Sequence, residues 1–407
     1  MANVIIVGGG AAGQMAAICA AKKGANVTIL EHNDRLGRKI LSTGNGHCNF
    51  TNLYQENTYR SKDNAFVSQV LDCFGVEALR EFFERLGVMS MDKNGYVYPI
   101  TEEATTIADS LRFELEKYKV KIKTNEHITA ITPTANGTFD VSTDTYTYKG
   151  DRVILATGGK AAPQLGANES GYQMAQKLGH TITPLLPALC GLKSNANLFQ
   201  SCAGVRQKGA ITLYTTDQNT DTILDREEGE LQFTSYGISG IPTFQCSRFA
   251  ANALYEGKEV IAKLNFLPHL SFENFLVFFR NQQTAYPTRT LQTFFSGLIN
   301  KKLAKAIISP KEMRSQALQE FNDKQADRLY KLLTEYEVLI TRTCDFDSAQ
   351  VTCGGVTLSE VSSTTMESRI VPGLYFCGEI LDVDGTCGGY NLQFAFSTGF
   401  IAGNACV

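Results

Sequence analysis

The stretch that decides the fold lies near the start of the chain, where residues 4–31 read VIIVGGGAAGQMAAICAAKKGANVTILE. The apolar run VIIV does not alternate with polar residues, which predicts a strand buried on both faces of a parallel sheet. A glycine-rich turn, a helix that ends at Gly24 and a second strand over residues 26–30 follow. The stretch therefore predicts a βαβ unit at the centre of an α/β fold.

Three glycines of the turn fit the pattern G-x-G-x-x-G: Gly8, Gly10 and Gly13. The first permits the tight turn, the second lets a diphosphate approach the backbone, and the third lets the helix press against the strand. Free N–H groups and the helix dipole then favour phosphate. Glu31 closes the second strand, where an acid can accept hydrogen bonds from a ribose hydroxyl. The pattern predicts a dinucleotide site; the alternative is an ordinary βαβ unit with a close helix–strand contact.

Composition bounds the class of protein. The 407 residues suffice for two or three domains, and the net charge of −3 favours neither nucleic acid nor an anionic membrane as a partner. The chain enters a core strand within a few residues, which leaves no room for a signal peptide, and no apolar run reaches the length of a membrane span. Eleven cysteines without C-x-x-C pairs predict no metal site and a cytoplasmic, reducing location.

The order of predicted elements indicates one domain interrupted by an insertion. Strands alternate with helices up to a linker marked by Pro184 and Pro187, then short β segments with polar turns follow, and then helices. The buried-strand pattern of the opening returns only near the C-terminus. The predicted segments are 1–186 and 337–407 for the two parts of the cofactor-binding domain, 187–268 for an inserted β-rich substrate domain and 269–336 for an inserted helical subdomain.

Two further glycine-rich segments share the style of the opening. They are ILATGG at residues 154–159 and GLYFCGEILDVDGTCGGYNLQFAFSTGFIAG at residues 373–403. A helix that starts at Tyr390 and Asn391 directs free N–H groups and a positive dipole at a ligand that gains negative charge, such as the pyrimidine edge of a flavin. Three glycine sites favour FAD over NAD alone, because the chain must reach two phosphates and an isoalloxazine. The alternative is that the later glycines only form turns.

These motifs resemble a family of NAD(P)/FAD-dependent flavoproteins that includes the bile-acid reductase type (BaiN-like) and the aminoacetone oxidase type. The resemblance covers essentially the whole chain, in order. Its motifs are GGGAAG, GRKILSTGNGHCNFTN, ATGGKAAPQLG, FTSYGISG, TCGGV and GLYFCGEILDVDGTCGGYNLQFAFSTG. It implies an α/β fold: a glutathione-reductase-like, FAD-binding Rossmann domain with an inserted β-barrel-like part and a helical part. FTSYGISG is expected in the barrel wall.

The resemblance also implies contacts with non-covalently bound FAD. The first glycine turn is expected at the pyrophosphate, Glu31 at the adenosine ribose, and Ile128 at adenine through its backbone. The segment after Gly37 is expected to wrap the phosphates and the ribityl chain, and the start of the last helix to meet the pyrimidine edge. The full set is Gly8, Gly10, Ala11, Ala12, Gly13, Glu31, His32, Arg38, Lys39, Ser42, Gly44, Asn45, Ile128, Ala156, Thr157, Gly158, Gly378, Glu379, Asn391 and Leu392.

One position departs from the family. Where family members usually carry Arg within G-x-G-R-C-N, this chain has His47, a group that titrates near neutrality instead of a permanently charged fork. His47 and Tyr390 are our candidates for the catalytic proton donor beside the flavin. Cys48 could act as a nucleophile with His47 as its base, but a packed structural cysteine is the favoured interpretation.

The leading functional hypothesis is a reductase. NADH or NADPH, docked transiently because no second Rossmann unit is present, would reduce FAD, which would reduce an electron-poor double bond in a small enone or steroid-like substrate. One alternative is an oxidase of a small amine that produces hydrogen peroxide. A further alternative is a non-catalytic flavin- or RNA-binding protein, which the negative charge disfavours. Substrate identity and oligomeric state stay open.

Overall fold

The structure is a computed structural model that describes residues 1–56, 58–217 and 220–407. The chain forms two compact units. Unit 1 comprises residues 1–185 and 351–407, and unit 2 comprises residues 186–350.

The strands of both units range from two residues to fifteen residues in length. In chain order they are β1 (Asn3–Val7), β2 (Asn26–Leu30), β3 (Thr51–Asn52), β4 (Tyr59–Arg60), β5 (Ser90–Lys93), β6 (Tyr96–Pro99), β7 (Lys121–Lys123), β8 (Ile128–Pro133), β9 (Phe139–Thr143), β10 (Thr147–Gly150), β11 (Arg152–Leu155), β12 (Leu186–Ala188), β13 (Leu192–Lys193), β14 (Arg206–Asp217), β15 (Thr220–Thr234), β16 (Gly237–Ser239), β17 (Val260–Asn265), β18 (Tyr336–Ile340), β19 (Arg342–Thr343), β20 (Val351–Cys353), β21 (Leu374–Phe376) and β22 (Asp384–Gly385).

The α-helices of both units range from one turn to four turns. In chain order they are α1 (Ala11–Lys22), α2 (Arg38–Ser42), α3 (Asn64–Cys73), α4 (Val76–Arg85), α5 (Ala104–Lys117), α6 (Ser170–Lys177), α7 (Asn197–Cys202), α8 (Ile241–Tyr255), α9 (Phe272–Ala285), α10 (Leu291–Phe295), α11 (Lys301–Ile307), α12 (Asp323–Thr334) and α13 (Tyr390–Ala405). Short 3₁₀ turns lie at Thr43–Gly46, Pro163–Leu165, Lys311–Ser315, Leu318–Glu320 and Leu358–Glu360.

A five-stranded parallel sheet forms the centre of unit 1, in the order β21-β11-β1-β2-β7. The predicted opening strand β1 lies in the middle of it, with Ile6 beside Ile154 on one side and Ile29 on the other. Its apolar run is buried throughout, which confirms the prediction from the lack of alternation. Smaller antiparallel sheets of unit 1 consist of β8, β9 and β10, of β3, β6 and β5, and of β22 and β4.

Helices α1 and α13 pack so closely that their backbones are in contact. A methyl group added at Gly399 or Gly403 of α13 would overlap the carbonyl oxygen of Ala12 or Ala16 in α1. Small residues at a four-residue spacing on both helices therefore bring the C-terminal helix against the helix that follows the first glycine turn. This contact places the two ends of the chain in one core.

Unit 2 contains a seven-stranded antiparallel sheet in the order β18-β17-β14-β15-β16-β13-β19. Its longest pair, β14 with β15, runs from Arg206 opposite Gln232 to Asp217 opposite Thr220. Helices of the same unit share one core with this sheet, in which strand residues such as Phe233 pack with helix residues such as Phe275.

The functions assigned to the four sequence segments stay predictions. The boundary predicted at residue 337, where the cofactor-binding domain was expected to resume, differs from the observed one. Residue 337 falls inside β18, whereas unit 1 resumes only at Val351. The reason is that β18 pairs with β17 from Val260 opposite Ile340 to Leu264 opposite Tyr336, so this strand completes the sheet of unit 2.

Candidate cofactor site

The three glycines of the first turn have different surroundings. Gly8 has φ of +103°, and a side chain there would run into the backbone of Ala156. A methyl group at Gly13 would overlap the carbonyl oxygen of Gly8, so this glycine brings α1 onto the strand. At Gly10 an added methyl group would meet nothing within 4 Å. The second glycine thus faces open space at the start of α1, in agreement with a cradle for phosphate.

The start of α1 offers hydrogen-bond donors to that space. Gly10 caps the helix without a side chain, and its carbonyl accepts the N–H of Gln14. The N–H groups of Ala11, Ala12 and Gly13 precede the first intrahelical bond, as at any helix start. They and the helix dipole would stabilise a pyrophosphate here.

Glu31 lies at the end of β2, buried to 5 % exposure. One carboxylate oxygen accepts the N–H of Gly9 at 2.8 Å, and the other accepts the N–H of Asn33 at 2.8 Å and faces Nδ1 of His32 at 3.1 Å. Burial favours the neutral acid, but the hydrogen bonds from His32, Asn33 and Gly9 lower the pKa of Glu31 overall. The pair with Glu31 raises the pKa of His32. The ionised carboxylate is thus an acceptor suited to ribose hydroxyls.

The expected adenine contact lies close to this carboxylate. Ile128 begins β8, and two residues earlier the N–H of Glu126 donates to the carbonyl oxygen of Glu31 at 2.9 Å. The structure therefore brings the strand of Ile128 beside the predicted ribose ligand.

The helix α2 carries the predicted phosphate loop. Arg38 donates to Oδ1 of Asn33 at 2.7 Å and to the carbonyl oxygen of Gln164 at 3.2 Å. The hydroxyl of Ser42 donates to the carbonyl oxygen of Lys39 at 2.9 Å, so it satisfies its own helix. Arg38 is therefore held against the Glu31 side of the site, and Ser42 is turned to the local backbone.

Lys39 and Glu379 meet although they come from distant segments. Nζ of Lys39 lies 2.7 Å from Oε2 of Glu379, and Oε1 of the same carboxylate accepts the N–H of Thr352 at 2.9 Å. Gly378, the residue before Glu379, has φ of +81°. A side chain at this position would collide with the side chain of Ala12. The structure thus places the predicted C-terminal contacts beside the first turn of α1.

The segment after β11 contributes an unpaired hydroxyl. The N–H of Ala156 donates to the carbonyl oxygen of Val7 at 2.9 Å, which continues the parallel sheet. Oγ1 of Thr157 is buried and has no hydrogen-bond partner among the described residues. Gly158 follows at φ of +75° with open space where a side chain would stand. A ligand with hydrogen-bonding groups would satisfy the hydroxyl.

The loop after α2 contains the residue that departs from the family. Gly44 and Asn45 both adopt the left-handed conformation, at φ of 56° and 54°, and both are exposed. His47 is also exposed, and its Nδ1 lies 2.7 Å from the carbonyl oxygen of Glu102. Cys48 is fully buried, and burial raises the pKa of its thiol to about 11. A thiol kept protonated in this way is unsuited to nucleophilic attack.

Sequence reasoning missed Asn49. Its amide nitrogen donates to the carbonyl oxygens of Thr51 and Val97, both at 2.9 Å, while its Oδ1 is buried without a partner among the described residues. Because both amide hydrogens are engaged, the oxygen is oriented as an acceptor, and leaving it unpaired costs about 1–3 kcal/mol. The residue lies within the quoted 37–52 block, but nothing in the sequence distinguished it from the neighbouring asparagines.

The last helix begins as predicted. Gly389, at φ of +91°, presses against the backbone of Thr51, and α13 starts at Tyr390 without a capping side chain. The amide of Asn391 is bound at both ends to the backbone of Gly385, at 2.8 and 2.9 Å. A contact of Asn391 and Leu392 with the pyrimidine edge would therefore come from their backbone N–H groups.

Tyr390 keeps its proton at neutral pH. It is 6 % exposed, and burial raises its pKa to about 12. The hydroxyl of Tyr59 donates to the carbonyl oxygen of Tyr390 at 3.0 Å, and the two rings meet edge to face at 5.9 Å. A protonated phenol satisfies the chemical requirement for the predicted proton donor.

The residues present fit FAD. Unpaired buried acceptors, an open glycine at a helix N-terminus and an ionised acid at a strand end match the ribose, phosphate and ring groups of a dinucleotide. Within the described ranges no group of three or more His, Cys, Asp and Glu side chains could hold a metal ion. No helix in the part of the chain that the structure describes has the length and apolar character needed to span a membrane.

Similarity to known proteins shows the family of this chain. The family model HI0933-like protein Rossmann domain matches residues 2–405. The chain is 41% identical over 409 residues to the 3-dehydro-bile acid delta(4,6)-reductase of Clostridium scindens, covering 100% of this chain and 99% of that protein. It is 30% identical over 397 residues to the ribosomal RNA dihydrouridine synthase of Escherichia coli, covering 97% and 96%.

Among solved structures, 3-ketosteroid delta1-dehydrogenase of Sterolibacterium denitrificans matches with a TM-score of 0.53 at 12% identity, covering 99% of both chains, which shows a shared fold. Fold, site and relatives define an FAD-dependent oxidoreductase with a Rossmann-type α/β fold, as predicted. The chain belongs to the HI0933-like Rossmann-domain family.

Proposed function

We propose that this oxidoreductase reduces a carbon–carbon double bond conjugated with a carbonyl group, in a small enone or steroid-like molecule. The observation that carries the proposal is the full-length similarity to a bile acid reductase at 41% identity. The more distant relatives make dihydrouridine, which is uridine with a saturated double bond next to a carbonyl. Two relatives with different substrates thus share one reaction, the saturation of a carbon–carbon double bond next to a carbonyl group.

FAD, bound non-covalently and reduced by NADH or NADPH, would supply the hydride. The chain's own part begins with binding: the start of α1 and Glu31 hold the ADP half, and the start of α13 stabilises negative charge at the ring. Because the described residues form a single parallel sheet of the Rossmann type, the nicotinamide would dock transiently.

A proton must reach the substrate after hydride has been added to the conjugated system. Tyr390 is our first candidate for this donor, since its buried phenol stays protonated at neutral pH. His47 is the second candidate, but it is exposed and already bonded to the carbonyl oxygen of Glu102.

We also propose a cytoplasmic location, because all eleven cysteines are free thiols.

Anaerobic spectroscopy tests the reaction. FAD-loaded protein is mixed with NADH or NADPH, and loss of the oxidised flavin absorbance is recorded. A 3-oxo-4-ene steroid acid is then added, and we expect the absorbance to return with formation of the saturated ketone. Absence of bleaching with both nicotinamides, together with no re-oxidation of photoreduced enzyme by the enone, would refute the proposal.

The alternative function, oxidation of a small amine, predicts a different result in the same absorbance measurement. Small amines would bleach the flavin without nicotinamide, and oxygen would restore it with formation of hydrogen peroxide. We expect neither amine-dependent bleaching nor stoichiometric peroxide.

An RNA substrate is the second candidate, because the similarity to the dihydrouridine synthase spans 97% of the chain. We retain a small molecule as the substrate. The net charge is −3, and one long strand of unit 2 carries the acidic run LDREEGE at residues 224–230, so phosphate would meet repulsion there. Mass spectrometry of ribosomal RNA incubated with enzyme and nicotinamide tests this candidate through a gain of two hydrogens on uridine.

A further inference from the structure

Two tyrosines of unit 1 keep part of their rings open to solvent at the small sheet β3-β6-β5. Tyr54 comes two residues after β3 and is 68% exposed, and Tyr96 begins β6 and is 37% exposed. Tyrosine rings offer a large apolar area with few internal rotations, and aromatic side chains are common in small-molecule sites. We call Tyr54 and Tyr96 the exposed tyrosine pair.

A glycine lies against each ring. A methyl group added at Gly95 would lie 2.5 Å from Cε2 of Tyr54, and one added at Gly388 would lie 2.9 Å from Cε1 of Tyr96. Both glycines have positive φ, of +89° and +131°. One edge of each ring therefore packs against backbone at a position that favours glycine, while the rest of the ring stays accessible.

The side chain of Asn52 connects these two positions. Its Oδ1 accepts the N–H of Tyr54 at 3.0 Å, and its Nδ2 donates to the carbonyl oxygen of Gly388 at 3.1 Å. Asn52 is also the register partner of Tyr96 in the pair of β3 and β6, and it is 2% exposed. The exposed tyrosine pair is therefore held around one buried amide before a ligand arrives.

The exposed tyrosine pair borders the start of α13. The methyl group added at Gly388 would also lie 3.0 Å from Cε2 of Tyr390, so the rings of Tyr96 and Tyr390 flank the same glycine. Burial first and Tyr96 second raise the pKa of Tyr390 to about 12, which agrees with two neighbouring phenols. A molecule that lies on Tyr96 would therefore reach the first candidate for the proton donor.

The nearest cation on this sheet is already paired. Lys93 of β5 is the register partner of Tyr96, and it forms an ion pair with Glu102. An ammonium group that is neutralised by a carboxylate attracts phosphate only weakly. The surroundings of the exposed tyrosine pair thus favour an uncharged apolar ligand over a nucleic-acid backbone.

We infer that Tyr54 and Tyr96 bind the apolar ring skeleton of the organic substrate and hold its double bond beside Tyr390, an inference that rests on the proposed function. The occupant is a neutral polycyclic molecule, because the pair continues from the candidate cofactor site and presents ring carbon instead of net charge. Tyr54 and Tyr96 would then decide which skeletons are accepted, whereas Tyr390 would act on the reacting bond.

Equilibrium dialysis tests the inference without turnover. Full-length, FAD-loaded, oxidised protein is dialysed against 4-androstene-3,17-dione, a neutral steroid enone. We expect Kd to rise about fivefold to twentyfold in Tyr54→Ala and in Tyr96→Ala, because each variant removes the apolar area of one ring. Tyr96→Phe keeps the ring and should bind the steroid as wild type does.

Tyr146→Ala is the matched control, since Tyr146 is 62% exposed and lies between β9 and β10 in the same unit. FAD affinity is measured in every variant and should not change, which separates loss of a ring contact from damage to the cofactor site. If Tyr96→Ala does not fold, Tyr54→Ala decides the test, because its ring is the more exposed of the two.

Unchanged Kd for the steroid in both alanine variants, or an equal rise in Tyr146→Ala, would overturn the inference. A rise in Kd for a short uridine-rich RNA oligonucleotide without a rise for the steroid would assign the rings to a nucleobase and would also overturn it. Failure of the proposed function is distinct: wild type would leave the enone unreduced, while the alanine variants would still bind it more weakly.

Discussion

The ammonium group of Lys39 and the carboxylate of Glu379 lie 2.7 Å apart, although 340 positions separate them in the chain. Lys39 belongs to the short helix after the first βαβ unit, and Glu379 follows the last strand of the parallel sheet. The carboxylate side chain is 16% exposed. The pair therefore joins the two chain ends at the candidate cofactor site.

Breaking this pair from one side should destabilise the protein. Lys39→Met leaves this largely buried carboxylate with the N–H of Thr352 as its one hydrogen-bond donor among the described residues, and we expect a loss of about 1–2 kcal/mol in the free energy of unfolding. Glu379→Gln alone and the double variant complete a double-mutant cycle in urea. A coupling energy near zero would contradict the role of the pair.

The functions of the second and third glycines of the turn, Gly10 and Gly13, can be separated. Gly10→Ala adds a methyl group into open space, so we expect apo stability to change by less than about 1 kcal/mol while FAD affinity falls sharply. Gly13→Ala forces α1 off the strand and should cost about 3 kcal/mol or more in the apo protein. Thermal unfolding without FAD and flavin fluorescence titration measure the two effects. Unchanged FAD affinity in Gly10→Ala would show that the open space does not receive the phosphate.

Asn49 should contribute to cofactor affinity through its unpaired oxygen. Asn49→Ala removes that acceptor, and we expect Kd for FAD to rise about tenfold, which corresponds to one hydrogen bond. The apo protein should also lose stability, since the carbonyl oxygens of Thr51 and Val97 each lose the hydrogen bond from the Asn49 amide, although Val97 keeps the one from the N–H of Phe50. Asn265→Ala is the control, because its Oδ1 already accepts the N–H of Leu267. Equal FAD affinity in both variants would refute the assignment.

Tyr390→Phe should separate the two halves of the catalytic cycle. Reduction of bound FAD by the nicotinamide should stay within a factor of about two, while re-oxidation by the enone should slow by about 10²-fold or more, since only the second half needs the proton. Stopped-flow absorbance follows each half. His47→Gln is the comparison, and a larger effect on re-oxidation from His47→Gln would assign the donor to His47.

His180 should make stability depend on pH. The imidazole is 2% exposed, between Glu360 at 3.1 Å and Ser368 at 2.8 Å, and burial lowers its pKa below 6.5 despite the nearby carboxylate. Below pH 6.5 the unfolded chain takes up a proton that the folded protein resists, so stability falls as pH decreases. We expect the free energy of unfolding to be lower at pH 5.5 than at pH 7.5 in denaturant titrations, by at most about 1.4 kcal/mol for this single group.

The control for this pH effect is the exposed His269. His180→Gln should remove most of the difference between the two pH values, and His269→Gln should leave it as in wild type. The lowered pKa of Glu360 acts in a separate window, because its contribution is lost only as the pH falls below about 4.5. A wild-type pH slope in His180→Gln would contradict the assignment.

The sequence by itself determined the central parallel strand, the glycine turn and the start of the last helix at Tyr390. These features depend on neighbouring residues: a non-alternating apolar run needs cover on both faces, and the turn needs glycine at positions where side chains collide. It also determined the family, because the quoted motifs extend along the whole chain.

Only the tertiary structure decided which distant groups meet. No local sequence pattern indicates that Lys39 pairs with Glu379, or that Oδ1 of Asn49 has no donor among the described residues. Nor does one indicate that Arg342 lies opposite Lys193. Strand register and burial decide which of the many chemically equivalent side chains come into contact. The same reason places residue 337 within the sheet of unit 2. Pairing along β18 was satisfied by β17, and a strand pattern alone does not name its partner.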